Sequence, residues 1–162
     1  MNRRYLTAAA FSALAAYSVP AAAETTWDQP GKGMGISSST VTEIAENHMV
    51  MQIRSDYESV EMEDESHPMQ GAAGPCFGAV EVVAGAADGT GICAFTDSAG
   101  DTVVLHWTAK GMDGSGALTG DWEVSGGTGK WQEAKGGGEF SSLTDPSSGQ
   151  FVNTITSSVT LP

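Results

Sequence analysis

The amino-acid sequence predicts an all-β protein, an antiparallel eight-stranded sheet closed into a barrel. Three observations carry that reading. Apolar residues recur at period two along most of the chain, the spacing that turns one face of a strand toward a core. Gly- and Asp-bearing turn clusters separate these stretches at intervals of about ten to fifteen residues. Helical periodicity is nearly absent, and the 21 glycines weigh further against helices. Closing so many short strands on themselves also removes exposed sheet edges.

Taken in order, residues 1–23 read as a secretory signal peptide. Arg3 and Arg4 give a basic start, TAAAFSALAAYSV is apolar but short for a membrane span, and Ala21 and Ala23 form an A-x-A cleavage site before Glu24. The residues after Arg3-Arg4 fit a twin-arginine signal only loosely. The expectation is Sec export with cleavage after Ala23, and a periplasmic or secreted location. No second hydrophobic segment occurs downstream, so no membrane insertion of the mature chain is expected. Residues 24–47, which begin with ETTWDQPGKGMGISSST, read as an N-terminal lead-in. Residues 48–162 read as the barrel domain.

Within that domain HMVMQIRSDYESVEM alternates, with Met49, Met51, Ile53, Ser55 and Tyr57 on one face and Gln52, Arg54, Asp56 and Glu58 on the other. Further strands are predicted at 77–83, 91–97, 102–111, 117–126, 136–144 and 149–161, with DSAGD, GMDGSG, GGTGK and TDPSSG as turns. The acidic connection EMEDESHPMQGAAGP (61–75) is too polar for a strand. It reads as a solvated crossover or as a rim or lid.

Charge narrows the partners. Twenty Asp and Glu face seven Lys and Arg, a formal net charge of −13, and two of those arginines lie in the signal. Such a surface repels phosphate backbones and anionic lipid heads, so no nucleic-acid partner is expected; the charge serves solubility or, alternatively, a cation store or a basic partner. Homo-oligomerisation is left open.

Cys76 and Cys93 are the only cysteines, and in an exported chain an even count favours a disulfide. The register leaves two arrangements. A hairpin centred near Asp88 would pair Cys93 with Val83 and leave Cys76 roughly 20 Å away along the strand. A turn nearer Ala84-Gly85 makes the two cysteines direct partners. Without a C-x-x-C spacing, neither a zinc nor a thioredoxin-type site is expected.

VSGGTGKWQEAKGGGEF (124–140) poses the question of a phosphate cradle. A P-loop requires G-x-x-x-x-G-K-[ST], but Gly129-Lys130 is followed by Trp131 and preceded five positions earlier by Val124. A dinucleotide fingerprint requires a third glycine where Gln132 stands, and no helix is predicted after it. The run reads instead as a structural turn. Gly126, Gly127, Thr128 and Gly129 reverse the chain, Lys130 and Trp131 resume it, and Gly136-Gly137-Gly138 allow a bulge.

This stretch, from Gly120 to Phe140, resembles the G-G-T-G-[KR]-aromatic-x-x-A-x-G segment of the allene oxide cyclase and dirigent barrel superfamily. The resemblance implies an eight-stranded antiparallel barrel with a central apolar cavity and no cofactor. Plant members of that superfamily cyclise an unstable epoxide or steer phenoxyl-radical coupling by holding a reactive ligand in a shaped pocket. The shared motif is a scaffold turn, so it carries the fold and not the activity. The family's acidic and polar pocket residues find no fixed register on this chain. With its signal peptide and two cysteines, the chain more closely resembles exported bacterial members.

Other constellations are weaker. His48, His67 and His106 lack metal-ligand spacing, DSAGD lacks the acids of a calcium loop, and no G-x-S-x-G elbow occurs, so no metal site is expected. Glu81, His106 and Glu123 each sit among apolar neighbours in a strand core and are the candidate catalytic groups. Pointing inward beside Tyr57 or Trp107, they would supply acid–base chemistry in an apolar pocket. Pointing outward, they are ordinary solvent-face residues, and their apolar neighbours favour that orientation. Tyr57, Trp107 and Trp122 are the candidate ligand-binding side chains. The functional expectation is a small apolar molecule bound in the barrel, with any isomerisation, cyclisation or coupling guided by pocket shape. The alternative is a structural or interaction protein whose barrel is filled by its own side chains.

Overall fold

The computed structural model describes residues 23–162; the signal-peptide reading of residues 1–23 falls almost wholly outside them. Ten strands succeed one another: β1 (Thr25–Trp27), β2 (Gly31–Ala45), β3 (His48–Met62), β4 (Gly74–Val83), β5 (Ala86–Thr96), β6 (Thr102–Met112), β7 (Leu118–Gly127), β8 (Lys135–Thr144), β9 (Gln150–Ile155) and β10 (Ser158–Leu161). Strands β2 to β8 pair with their neighbours in sequence. β9 then pairs with both β2 and β8, closing an eight-stranded antiparallel barrel.

Two boundaries differ from the sequence reading. The lead-in is barrel wall: β2 pairs with β3 along its length, and through Gly31–Ile36 with β9. The barrel therefore begins at Gly31 and not at His48. The stretch 149–161 is two strands, because the chain changes partners at Thr156-Ser157. β10 leaves the barrel's closing pair to join the start of β8 and, on its other side, β1.

The β4–β5 turn resolves the cysteine register. Ala84 and Gly85 both take positive φ, 50° and 85°, the backbone of a two-residue hairpin whose twist suits the flanking strands. Val83 then faces Ala86, and Cys76 faces Cys93, to which it is disulfide-bonded.

Glycines within the strands make room for aromatic rings lying across the inner wall. Gly78, Gly91 and Trp107 form one row across β4, β5 and β6, and a Cβ on either glycine would overlap the indole. Gly33 lies under the Tyr57 ring in the same way, and Gly120 under Phe140. These rings therefore bed against backbone, where a side chain would otherwise hold them away from the wall.

The base of the barrel is sealed. The connection between β3 and β4 is acidic on its outside, but His67, Met69 and Ala72 turn inward and are buried. Met69 and Ala72 join Val60, Cys76, Cys93, Phe95, Leu105, Trp122 and Ile155 in the larger core cluster. His67 Nδ1 accepts the Met69 N–H at 3.0 Å, its Nε2 lies 3.3 Å from Ser157 Oγ, and its ring meets Trp27 edge-on.

Gly126 and Gly127, read as part of the turn, end strand β7 instead, and the chain turns after them. Gly126 and Gly129 take positive φ, and Gly129–Trp131 form a single 3₁₀ turn before the next strand. Trp131 is fully buried, and its indole N–H donates to Asp97 Oδ2 at 2.8 Å. Lys130 Nζ reaches the same oxygen at 2.7 Å, while Asp97 Oδ1 accepts the N–H groups of Ala99 and Asp101. One buried carboxylate thus ties the β7–β8 connection to the β5–β6 hairpin. Burial alone would raise the Asp97 pKa, but bonds from Lys130, Trp131, Asp101 and Ala99 outweigh it and hold the carboxyl below its ordinary range.

Candidate functional site

Above this sealed base the barrel holds a cavity of about 270 Å³. Met69, Trp122 and the Cys76–Cys93 disulfide lie on its deep wall. At the other end its lining includes the exposed residues Met112, Gly116 and Thr144, so it opens to solvent between the β6–β7 and β8–β9 turns.

Strand parity decides which side chains reach it. In β4, buried Cys76, Val80 and Val82 face in, so Glu81 faces out; it accepts a 2.7 Å hydrogen bond from His48 on the outer surface. In β6, Val103, Leu105 and Ala109 are buried and His106 is exposed. Its cross-strand partner is Glu123, also exposed. The candidate catalytic trio therefore lies on the outside of the barrel, which rules these residues out as acid–base groups of the cavity. The apolar neighbours that made them conspicuous are what force them outward.

The same parity brings Tyr57, Trp107 and Trp122 together on the cavity wall. Trp107 packs edge-on against Phe140, with ring centroids 6.2 Å apart. Trp122 donates its indole N–H to Thr156 O at 3.1 Å, leaving only its apolar face for the cavity. Tyr57 is wedged between Phe95 and Phe151, at 4.9 and 4.6 Å, and its hydroxyl accepts a 2.8 Å hydrogen bond from Asn153 Nδ2. Burial pushes the phenol up to about 12, with the Asn153 bond opposing it, so at neutral pH Tyr57 is a hydrogen-bonding group and not a proton carrier.

Asn153 and the serines of the wall were not singled out by sequence. Asn153 is buried, and no protein group among the described residues donates to its Oδ1. The signal for it exists in QFVNTI, where Asn153 shares its phase with Phe151 and Ile155. Ser55 shares its phase with Tyr57, lines the cavity, and donates to Ser37 Oγ at 2.9 Å. Among the described residues no Asp, Glu, Lys, Arg or His lines the cavity. Among the described residues no three His, Cys, Asp or Glu side chains gather as a metal site, and no helix is long and apolar enough to cross a membrane.

Fold and site together define a closed eight-stranded antiparallel β-barrel with an uncharged, aromatic-lined internal cavity. No family model and no curated protein matches the chain. Among solved structures it is similar to the pterocarpan synthase dirigent protein, with a TM-score of 0.55 and 14% identity over 89% of each chain. The fold is thus dirigent-like, as the glycine motif implied.

Proposed function

We propose that the protein is exported and binds one small, uncharged, largely apolar molecule inside the barrel. The observation that carries this reading is the cavity itself: open at one end, walled by Trp107 and Trp122, and free of charged side chains. Such a lining favours transfer of apolar surface from water and penalises an unpaired ion. A barrel serving only as scaffold would fill this space with side chains, as the base already does. The disulfide supports an oxidising compartment, and the acidic surface weighs against nucleic acid.

The likeness to a pterocarpan synthase supports a second reading, in which the cavity guides a cyclisation. With no acid or base on the wall, this chain would act by holding the reactant in one conformation.

The test is titration with 1-aminoanthracene, an uncharged dye that brightens in apolar surroundings. The expected result is saturable enhancement at one site per chain, lost in Ser55→Trp, whose indole would occupy the cavity. No enhancement, or the same enhancement in Ser55→Trp, would reject the cavity as the site.

A further inference from the structure

The cavity wall is divided by chemistry into two arcs. Strands β4 to β7 contribute only apolar side chains, among them Leu105, Trp107, Leu118 and Trp122. Every hydroxyl and amide on the wall comes from the other four strands, β8, β9, β2 and β3, which are consecutive neighbours around the barrel. Register clusters them: Ser142 faces Asn153 across β8–β9, Asn153 faces Gly33 across β9–β2, and Ser37 faces Ser55 across β2–β3. Three hydrogen bonds run within this arc, Ser55 Oγ to Ser37 Oγ, Ser37 Oγ to the Arg54 carbonyl, and Asn153 Nδ2 to the Tyr57 hydroxyl. They leave the Tyr57 O–H hydrogen and the buried Asn153 Oδ1 without a partner among the described residues.

From this division we propose that the ligand is two-faced: neutral, with hydroxyl or carbonyl oxygens along one edge and hydrocarbon along the other. This rests on the cavity being a ligand site, and it adds which edge of the molecule meets which strands. Hydroxyl side chains both donate and accept, so they match alcohols and ketones without demanding charge. A carboxylate would be buried with no cation to meet it, and an ammonium with no anion. A purely apolar molecule would leave the hydroxyl arc facing hydrocarbon.

Calorimetric titration with four molecules of one skeleton tests this: naphthalene, 2,7-naphthalenediol, 2,6-naphthalenediol and 2-naphthoate. The 2,7-diol carries both hydroxyls toward one long edge, and the 2,6-diol carries them on opposite edges. The expected result is about tenfold tighter binding of the 2,7-diol than of the 2,6-diol, the effect of one additional hydrogen bond, with no measurable binding of 2-naphthoate. In Ser37→Ala/Ser142→Ala, and separately in Asn153→Leu, the diol ratio should fall to about twofold. Equal affinities of the two diols for the wild-type protein, tight binding of 2-naphthoate, or a ratio undiminished in both variants overturns the proposal. In those cases naphthalene binding still upholds the cavity as a ligand site. If naphthalene and both diols all fail to bind, the ligand site itself is rejected and the two-faced ligand with it. The wild-type ratio decides even where a variant fails to fold.

Discussion

Replacing Asp97 by Asn isolates what the glycine motif contributes. The native carboxylate accepts four hydrogen bonds or ion contacts, two on each oxygen. An amide has one acceptor oxygen, so it can keep the Ala99 and Asp101 N–H groups or the Trp131 indole N–H, but not both. Trp131 is fully buried, and a buried donor left unsatisfied costs about 1–3 kcal/mol. The Lys130 contact adds little, because that side chain remains 34% exposed. The sum is about 1–3 kcal/mol, or a fall of roughly 3–9 °C in Tm for a domain of this size. Thermal unfolding followed by circular dichroism reads this directly. The penalty should be full at neutral pH. Because the Asp97 pKa is depressed in the fold, its contribution is complete above the ordinary carboxylate value and is lost as pH falls through the lower folded value. The gap between wild type and variant should therefore close in strong acid. A Tm within about 1 °C of wild type at pH 7 would refute the clamp.

Three further outcomes concern other parts of the barrel. Burial lowers the His67 pKa, with Asp64 opposing, so the unfolded chain binds the proton first; stability is full above the unfolded value near 6.5 and declines as pH falls below it. Subtracting the Tm–pH profile of His67→Gln should expose this decline, and parallel profiles would contradict it. In Gly33→Ala the new methyl meets the Tyr57 ring and pushes it from its bed, at a cost of about 1–3 kcal/mol and with weakened 1-aminoanthracene binding. Unchanged Tm and binding would show the bed to be unimportant. Glu81→Gln, His106→Ala and Glu123→Gln change only the outer surface and should each leave dye affinity unaltered and stability within about 0.5 kcal/mol; lost binding would return these residues to the site.

Much of the barrel was legible because period-two alternation reports directly which side chains a sheet buries. Where it failed, the inward positions were not apolar. β2 faces inward with Gly31, Gly33 and Gly35 and then with serines, because the Tyr57 ring and the Met62 side chain from β3 occupy the space its own side chains would fill. Such a strand reads as a linker until its neighbour is known. The break between β9 and β10 is invisible for the opposite reason. Alternation runs unbroken from Phe151 through Ile155 to Val159 and Leu161, and only the pairing partner changes. Within the site, aromatic residues were found by type, but the polar arc was missed because a serine on the inner face looks like any solvent-face serine. The clamp on Asp97 was equally hidden, since its side-chain partners Lys130 and Trp131 lie more than thirty residues downstream.

Everything proposed for this barrel depends on its holding one small uncharged molecule in the cavity. Native mass spectrometry decides that with the fewest intermediate steps, on protein purified without denaturant from the cells that make it. The expected spectrum shows a population heavier than the bare chain by one small molecule, released on activation as a neutral and absent from Ser55→Trp. Bare mass in both proteins, or an adduct that Ser55→Trp retains, would contradict it.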